Sequence, residues 1–457
     1  MDALRACFEG VIPGMMATCA PDGTPNMAYL SQVQYVDGEH IALSFQFFNK
    51  TRQNVLANPR ATLLIVDPDT SALHRLAVQY LRTETEGPLF ESMKAKLAGI
   101  ASHTGMAGVF VLRGADVYRV LDIEAVPGAH RPAPPPRCSV MPALRRTALR
   151  LARCRDLDSF LDETLAAMAD GFGVTHAMVL LVDRHGQRLY TVASRGYPAS
   201  GVGSEIPLGQ GVIGVAAREG TPIRISHLTS EYAYARTVRA SAAAKGLAAM
   251  LETEIPLPGL AEAHSQLAVP IVACGATLGV LFVESPREMR FSYDDEDALV
   301  TVATQLGLAI QNMQAAAESG EAGETPTDTA APSAAGPAAL PETAAAGAPC
   351  VVRHFAADGS VFLDGDYLIK GVAGAIFWAL ANDYVHLGRT AFTNRELRLD
   401  PRIRLPDVSD NLEARLILLE RRLVERGACI RLEKTGRGRF RLAVGRKLEL
   451  AGAPAAS

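Results

Sequence analysis

Two stretches of this chain have compositions that do not form a folded core. Their positions divide the remaining residues into separate parts. Residues 126–142 open with the proline-dense run VPGAHRPAPPPR, which favours an extended backbone. Residues 316–350 are almost entirely Ala, Gly, Pro, Thr, Ser and Glu, a composition typical of a disordered tether. A chain of 457 residues is also too long for one ordinary domain. We therefore predict three folded parts and a tail, at residues 1–125, 143–315, 351–448 and 449–457.

The composition predicts a cytoplasmic protein without a membrane segment. Seven cysteines include no C-x-x-C pair, which is typical of reduced thiols, and we predict no metal site. No apolar run approaches the ~18 to 20 residues of a membrane helix, and the start lacks a signal-peptide pattern. The formal net charge is −4, so any affinity for nucleic acid must be local. Residues 351–450 hold 18 Lys and Arg against 13 Asp and Glu, so the last part is basic.

The first part has the pattern of a small β-barrel. Six strand-like runs are separated by turn signals such as Pro21-Asp22-Gly23 and Asp37-Gly38. Two short helical runs lie at Lys50 to Asn58 and at Pro88 to Ala101. Six short strands with few helices favour a barrel.

Residues 17–66 resemble the flavin-binding split barrels that are related to pyridoxamine-phosphate oxidase. In that family a strand ends in Ser, and a nearby basic residue precedes Asn-Leu and Asn-Pro. Here Lys50, Thr51 and Arg52 lie where a strand turns into a helix, so cations, a hydroxyl and backbone N–H groups converge on a phosphate. The alternative is that these are solvated charges at a helix start.

This resemblance implies FMN as the cofactor and a homodimer with the cofactor at its interface. The cofactor-binding residues would be Ser44, Phe45, Gln46, Lys50, Thr51, Arg52 and Asn54. The oxidase itself carries a tail with Trp and Arg for its substrate, whereas the only tryptophan here is Trp378, in the last part. Oxidation of the vitamin cofactor is therefore not expected, and we predict no catalytic residue.

Residues 157–313 resemble a GAF domain, an α/β fold. The marks are Gly209 to Gly214 (GQGVIG), Leu267 to Ile271 (LAVPI) and the Gly279-Val280-Leu281 return. A helical pattern precedes them, with a break near Asp156. The resemblance implies a pocket on one face of the sheet for an unidentified small molecule. The helices on either side of the domain either pair across a dimer or cover the sheet.

The last part combines a hairpin, three helices and an arginine-rich second hairpin. The first hairpin turns at Asp364-Gly365 and precedes a helix from Gly371 to Tyr384. Thr393 and Glu396 have the spacing of a capping box for the second helix. The third helix runs from Asp410 to Glu425, with Ser409 or Asp410 as its cap. A buried stripe of leucines is predicted on it: Leu412, Leu416, Leu419 and Leu423. Four arginines are predicted to lie largely outside the stripe: Arg415, Arg421, Arg422 and Arg426.

This layout resembles a response-regulator-type winged helix, which implies DNA as a partner. The third helix would enter the major groove and the wing would contact phosphates. The candidate contacts are Asn411, Arg415, Arg422, Lys434, Arg437 and Arg439. Alternatively, Glu413, Glu420 and Glu425 pair with these arginines and leave a protein-docking module.

The order sensor, sensor, tether and basic output favours a cytosolic transcriptional regulator that responds to flavin or another small molecule. Two alternatives remain. One is a flavin-dependent oxidoreductase with a regulatory GAF domain, although no general acid or base stands out. The other is a scaffold that docks a protein partner. Control of the output would act through dimer geometry or through masking of the basic face, because a long flexible tether transmits no rigid rotation.

Overall fold

The computed structural model of the chain describes most of its residues. They are 1–9, 12–30, 32–46, 50–103, 111–132, 139–183, 187–226, 255–323, 348–403, 405, 411–436 and 438–452. Side chains are described in all of these except 98–103, 316–323 and 452. Within these ranges, no helix combines the length and apolar character that a membrane crossing requires.

The first part is built from strands of one antiparallel sheet. Its elements are a 3₁₀ helix Asp2–Phe8, β1 Gly14–Cys19, β2 Pro25–Leu30, β3 Val33–Tyr35, β4 His40–Phe45, α1 Lys50–Ala57, β5 Arg60–Val66, β6 Leu73–Glu84, α2 Pro88–His103 and β7 Gly114–Ala125. The strand order is β2-β1-β5-β6-β7-β4-β3. Both predicted helices are present as α1 and α2.

The predicted barrel is a curled half-barrel. The sheet has seven strands rather than the predicted six, because the run through residues 25–36 is divided into β2 and β3. These two strands form opposite edges of the sheet, and no pairing closes them among the described residues. Inside the curl, Phe8 of the 3₁₀ helix packs with strand residues such as Met16 and Ile41. The 3₁₀ helix therefore contributes to the core of this sheet.

The second part is a six-stranded antiparallel sheet with helices on both faces. Its described elements are α3 Met141–Leu151, α4 Leu157–Phe172, β8 His176–Asp183, β9 Arg188–Arg195, β10 Glu205–Pro207, α5 Gly211–Glu219, β11 Ile223–Ile225, β12 Ser265–Ala273, β13 Ala276–Ser285 and α6 Tyr293–Gly323. The strand order is β10-β9-β8-β13-β12-β11. Alternate residues of β8 point to opposite faces, so that Val179 packs with α4 and α6 while Leu180 packs with α5.

Local sequence accounts for the boundaries of the helices around this sheet. Asp156 separates α3 from α4, as predicted, because its carboxylate accepts a hydrogen bond from the Ser159 N–H at 2.9 Å and caps α4. The left-handed Gly173, at φ 64°, ends α4. One expectation differs: α6 continues to Gly323, beyond the predicted start of the tether at residue 316.

The third part consists of two small sheets and three helices among its described residues. The elements are β14 Cys350–Phe355, β15 Ser360–Leu363, β16 Asp366–Ile369, α7 Gly371–Leu387, β17 Ala391–Thr393, α8 Asn394–Leu399, α9 Leu412–Glu425, β18 Ile430–Gly436, β19 Arg439–Val444 and β20 Leu448–Gly452. The sheets have the orders β16-β15-β14-β20 and β17-β19-β18. Strand β20 pairs in parallel with β14, so part of the predicted tail belongs to the fold.

The predicted capping box at the start of α8 is present. The Thr393 hydroxyl accepts from the Glu396 N–H at 3.2 Å, and Glu396 accepts from the Thr393 N–H at 3.0 Å. The α9 helix is instead capped by Asn411, whose side-chain oxygen accepts from the Ala414 N–H at 3.0 Å. The predicted caps Ser409 and Asp410 lie outside the described residues.

One hydrophobic cluster extends through both the second and the third part. It includes Leu161 of α4 and Val302 of α6, and it continues to Leu418 and Leu419 of α9 and to Phe377 of α7. The third part therefore packs on the side of the second part that carries α4 and α6, although a long tether separates the two parts in sequence.

Candidate functional sites

A small cavity in the first part brings together most of the predicted cofactor residues. Its volume is about 120 Å³. Five of the seven predicted residues line it: Ser44, Phe45, Gln46, Thr51 and Arg52. Lys50 is exposed at the first position of α1, where backbone N–H groups have no partner within the helix. Asn54 is buried away from the cavity wall, and its amide donates to the Thr18 hydroxyl at 3.1 Å.

The guanidinium of Arg52 is held inside this site by an acidic partner that we did not predict. It forms an ion pair with Asp116 of β7, donates to the Thr83 hydroxyl at 2.8 Å, and lies 4.5 Å from the centre of the Phe45 ring. Burial opposes the charge of Arg52, but the hydrogen bond and charge of Asp116 outweigh it and raise its pKa. The sequence signal for Asp116 was a carboxylate between Ala115 and Val117, near the start of β7.

The cavity and the start of α1 beside it offer several polar groups to a ligand. Thr51, Lys50 and the start of α1 supply the donors that a phosphate requires, and the Ser44 hydroxyl is buried in the cavity wall without a hydrogen-bond partner. Pockets that enclose a whole small molecule have volumes of about 300–1,000 Å³. The cavity is therefore smaller than a pocket that encloses a whole small molecule, and it borders the edge strand β2, where Tyr29 is 78% exposed.

The first and second parts are joined by a buried cluster of charges. Arg224 of β11 is fully buried and pairs with Glu9 and with Glu296, the latter at 2.7 Å. Its guanidinium carbon lies 4.2 Å from the centre of the Tyr293 ring. Burial opposes this charge, but the two carboxylates outweigh it and raise the pKa of Arg224. Burial, followed by the charge of Arg224, lowers the pKa of nearby Lys96 to about 8.

The predicted DNA-contacting helix α9 is covered by the second part, which corrects our expectation for two of its arginines. Arg415 and Arg422 were predicted to lie outside the buried stripe, but each is only 4% exposed. Arg415 forms an ion pair with Asp183 at 3.3 Å and lies over the Tyr190 ring at 3.9 Å. The pattern of leucines on α9 identified one buried face, and the docked sheet buries another.

The remaining polar groups of α9 also contact the second part or their own domain. Arg421 donates to Asp158 and to Asp162 of α4, each at 2.7 Å. Glu425 accepts from the Ser200 hydroxyl at 2.9 Å, across the same boundary. Arg422 donates to the Leu368 carbonyl at 3.1 Å and pairs with Glu425 at 2.6 Å. The predicted pairing of a glutamate with an arginine along α9 is thus present between Glu425 and Arg422.

The other predicted DNA-contacting residues have different environments. Asn411 is buried and caps α9. Lys434 and Arg439 are exposed on the β18–β19 hairpin, which is the predicted wing. Arg437 lies outside the described residues. Of the predicted contacts that the structure describes, those exposed to solvent are on the hairpin.

On the face of the second sheet that is opposite α4 and α6, the helix α5 packs against the strands. Ile213 and Ala216 of α5 pack against Met178, Leu180 and Phe282 of the strands. The glycine element positions this helix: a Cβ on Gly214 would lie 2.5 Å from the Pro207 carbonyl oxygen. The segment 227–254, which follows β11, lies outside the described residues.

Comparison with protein families assigns the first two parts. Residues 1–118 match the pyridoxamine 5'-phosphate oxidase family, and residues 154–311 match the GAF domain family. A search of curated proteins gives no match to the chain.

Similar solved structures cover single parts of the chain. The GAF domain of an Acinetobacter phosphoenolpyruvate-protein phosphotransferase is 26% identical, with a TM-score of 0.30, and the match covers 38% of this chain and 94% of that one. The Neisseria meningitidis free methionine-R-sulfoxide reductase is 21% identical, with a TM-score of 0.28, over 37% of this chain and 86% of that one. An FMN-binding protein of Syntrophomonas wolfei is 15% identical, with a TM-score of 0.23, over 28% and 86%. From the family matches, the chain carries a split-barrel domain of the pyridoxamine 5'-phosphate oxidase type at residues 1–118, followed by a GAF domain at residues 154–311.

Proposed function

We propose that this protein is a small-molecule-responsive transcriptional regulator whose GAF domain holds the DNA-contacting helix in an inactive position. The observation that carries the proposal is the contact between α9 and the GAF domain. Arg421 is held by Asp158 and Asp162, and Arg415 by Asp183. Carboxylates of α4 and β8 thus pair with two cations of α9, and a movement of α4 or β8 in the sensor would expose these cations.

The arrangement of the C-terminal part supports a winged-helix output. A hairpin of strands precedes α7, a capped α8 and α9 follow, and the β18–β19 hairpin lies next to α9 in the order of a response-regulator-type winged helix. In the released state, Asn411, Arg415 and Arg422 on or at the start of α9 would contact the major groove. Lys434, Arg437 and Arg439 would contact phosphates beside it.

The split barrel supplies the proposed cofactor site. The family match and the polar cavity support a flavin, and we propose FMN, whose phosphate would be bound by Lys50, Thr51 and the first turn of α1. Ser44, Phe45 and Gln46 would line the ring, with Arg52 fixed by Asp116 at its side. A homodimer would complete the site over β2. Bound flavin would supply redox chemistry and visible absorbance, while these residues bind and orient it.

Lys50→Ala should weaken the binding of FMN by about tenfold, because a charge-assisted contact to phosphate contributes about 1.5–3 kcal/mol. The measurement is quenching of flavin fluorescence when purified protein is titrated into FMN. Lys94→Ala is the matched control, since Lys94 is an exposed lysine of the same domain on α2. Equal FMN affinity in wild type and Lys50→Ala would contradict the proposed phosphate site.

Lys434→Ala/Arg439→Ala should weaken the binding of duplex DNA and flatten its salt dependence. Each phosphate contact that is lost lowers the slope of log affinity against log salt by about 0.9. The test measures anisotropy of a labelled random-sequence duplex between low and physiological salt, with the full chain. The control removes two exposed cations of the other small sheet, in Arg353→Ala/Lys447→Ala. Identical slopes for the two double variants would rule out the hairpin as a phosphate contact.

A protein-docking role for the C-terminal part is the second candidate. The observation that favours it is the burial of Arg415 and Arg422, which on this view is permanent. An absence of DNA binding at low salt, in wild type and in variants that weaken the α9 contact, would support docking over DNA recognition.

A further inference from the structure

A large cavity lies at the boundary between the GAF domain and the C-terminal part. Its volume is about 770 Å³, which is within the range of about 300–1,000 Å³ that is typical of ligand pockets. The GAF side is formed by α3, α4 and α6, and the other side by α9 and the β18–β19 hairpin. The cavity is thus on the face of the GAF sheet that α4 and α6 cover, opposite the face that α5 covers.

The lining of the cavity is apolar in its large side chains. Phe160 and Met313 come from the GAF domain, and Leu416, Ile417, Leu432 and Phe440 come from the C-terminal part. Two neutral amides, Asn312 and Asn394, offer hydrogen bonds. Such a lining favours an apolar molecule with few polar groups.

The charges around the cavity are balanced. Three cations, Arg155, Lys434 and Arg439, accompany three carboxylates, Asp156, Glu413 and Glu420. Burial acts to raise the pKa of Asp156. The hydrogen bond from Ser159 and the charge of Lys434 act in the other direction and outweigh burial, so the pKa is lowered. Burial raises the pKa of Glu420, so this carboxylate already lacks full compensation. A charged ligand would leave one charge without a counterpart, whereas a neutral ligand leaves the balance unchanged.

We propose that this cavity is a binding site for a neutral, largely apolar small molecule, and that occupancy changes the contact between α9 and the GAF domain. The second half rests on the proposed function. Leu416, Ile417 and Glu420 belong to the same helix whose Arg415 and Arg421 are held by GAF carboxylates. A ligand in the cavity therefore contacts both the GAF domain and the C-terminal part, and it acts directly on the position of α9.

Two fluorescent probes with the same ring skeleton test the site. N-phenyl-1-naphthylamine is neutral, and 8-anilino-1-naphthalenesulfonate adds one sulfonate. We expect the neutral probe to bind the full chain saturably, and the anion to bind about tenfold or more weakly, since a charge must be desolvated beside carboxylates. Equal or tighter binding of the anion would overturn the assignment to a neutral ligand.

Variants that fill the cavity locate the probe. Ala309→Trp and, separately, Met313→Trp place an indole in the cavity wall on α6, and each should lower the affinity of the neutral probe by about tenfold or more. Leu308→Trp is the control, because Leu308 is an exposed neighbour outside the lining. Far-UV circular dichroism checks folding, and Met313→Trp keeps the test decisive if Ala309→Trp is unfolded. The same affinity in all three variants would overturn the site.

A DNA titration separates this inference from the proposed function. Saturating neutral probe should change the DNA affinity of wild type and leave that of Met313→Trp unchanged. Probe binding at the cavity without any change in DNA affinity would overturn the coupling. If neither wild type nor any variant binds DNA, the proposed function is overturned, and the coupling with it. The probe assay then still decides whether the cavity is a binding site.

Discussion

Asp158→Asn/Asp162→Asn should raise the affinity of the full chain for duplex DNA by about tenfold or more, within the range of coupling free energies of about 1–3 kcal/mol. Both carboxylates accept hydrogen bonds from Arg421 at 2.7 Å, and they belong to the helix that covers α9. Asparagine keeps the size of the side chain but removes the charge. The substitutions therefore weaken the hold on α9 while the α4 backbone stays intact.

The measurement is anisotropy of a labelled random-sequence duplex at low salt. A matched control removes two negative charges from the same helix in Glu163→Gln/Asp170→Asn, where both carboxylates pair with Arg150 inside the GAF domain. A general effect of net charge on DNA binding would be equal in the two double variants. Only a larger rise for Asp158→Asn/Asp162→Asn agrees with release of α9, and equal rises would contradict it.

Arg224→Ala should lower the free energy of unfolding by about 3–5 kcal/mol, the usual cost of removing one partner from a buried ion pair. The Arg224 side chain is fully buried between Glu9 of the split barrel and Glu296 of the GAF domain. Its loss leaves two carboxylates near each other in a poorly solvated place, and it also removes the contact with the Tyr293 ring. We therefore expect the split barrel to separate from the GAF domain before either one unfolds.

Urea denaturation of the full chain, followed by circular dichroism, measures this effect, and limited proteolysis shows where the chain opens. Arg119→Ala is the control, because Arg119 pairs with Glu39 at 3.3 Å between two largely exposed side chains, and such pairs contribute little. A multidomain chain need not unfold in one step, so the first transition is the relevant one. An unchanged first transition in Arg224→Ala would show that the cluster does not hold the domains together.

Short-range features of the fold followed from the sequence. The break between α3 and α4 at Asp156 and the capping box of Thr393 and Glu396 were both predicted and are present. Each depends on hydrogen bonds between a side chain and a backbone N–H three residues away, so neighbouring residue types suffice to determine it. The helix predicted to begin at Lys50 is also present, and its Thr51 and Arg52 line one cavity together with the end of β4.

The environment of the charged residues was decided by tertiary structure alone. Arg421 and its partner Asp158 are 263 positions apart, and Arg224 and Glu9 are 215 apart. Helical spacing showed that Arg415 and Arg422 lie off the leucine stripe, but it contains no information about a second surface that packs there. Arg415 is paired across the domain boundary with Asp183, and Arg422 donates to the Leu368 carbonyl of its own part, so both environments are set by residues far apart in the chain. The sequence by itself thus determined helix boundaries that depend on neighbouring residues, whereas the tertiary structure determined which charges face water.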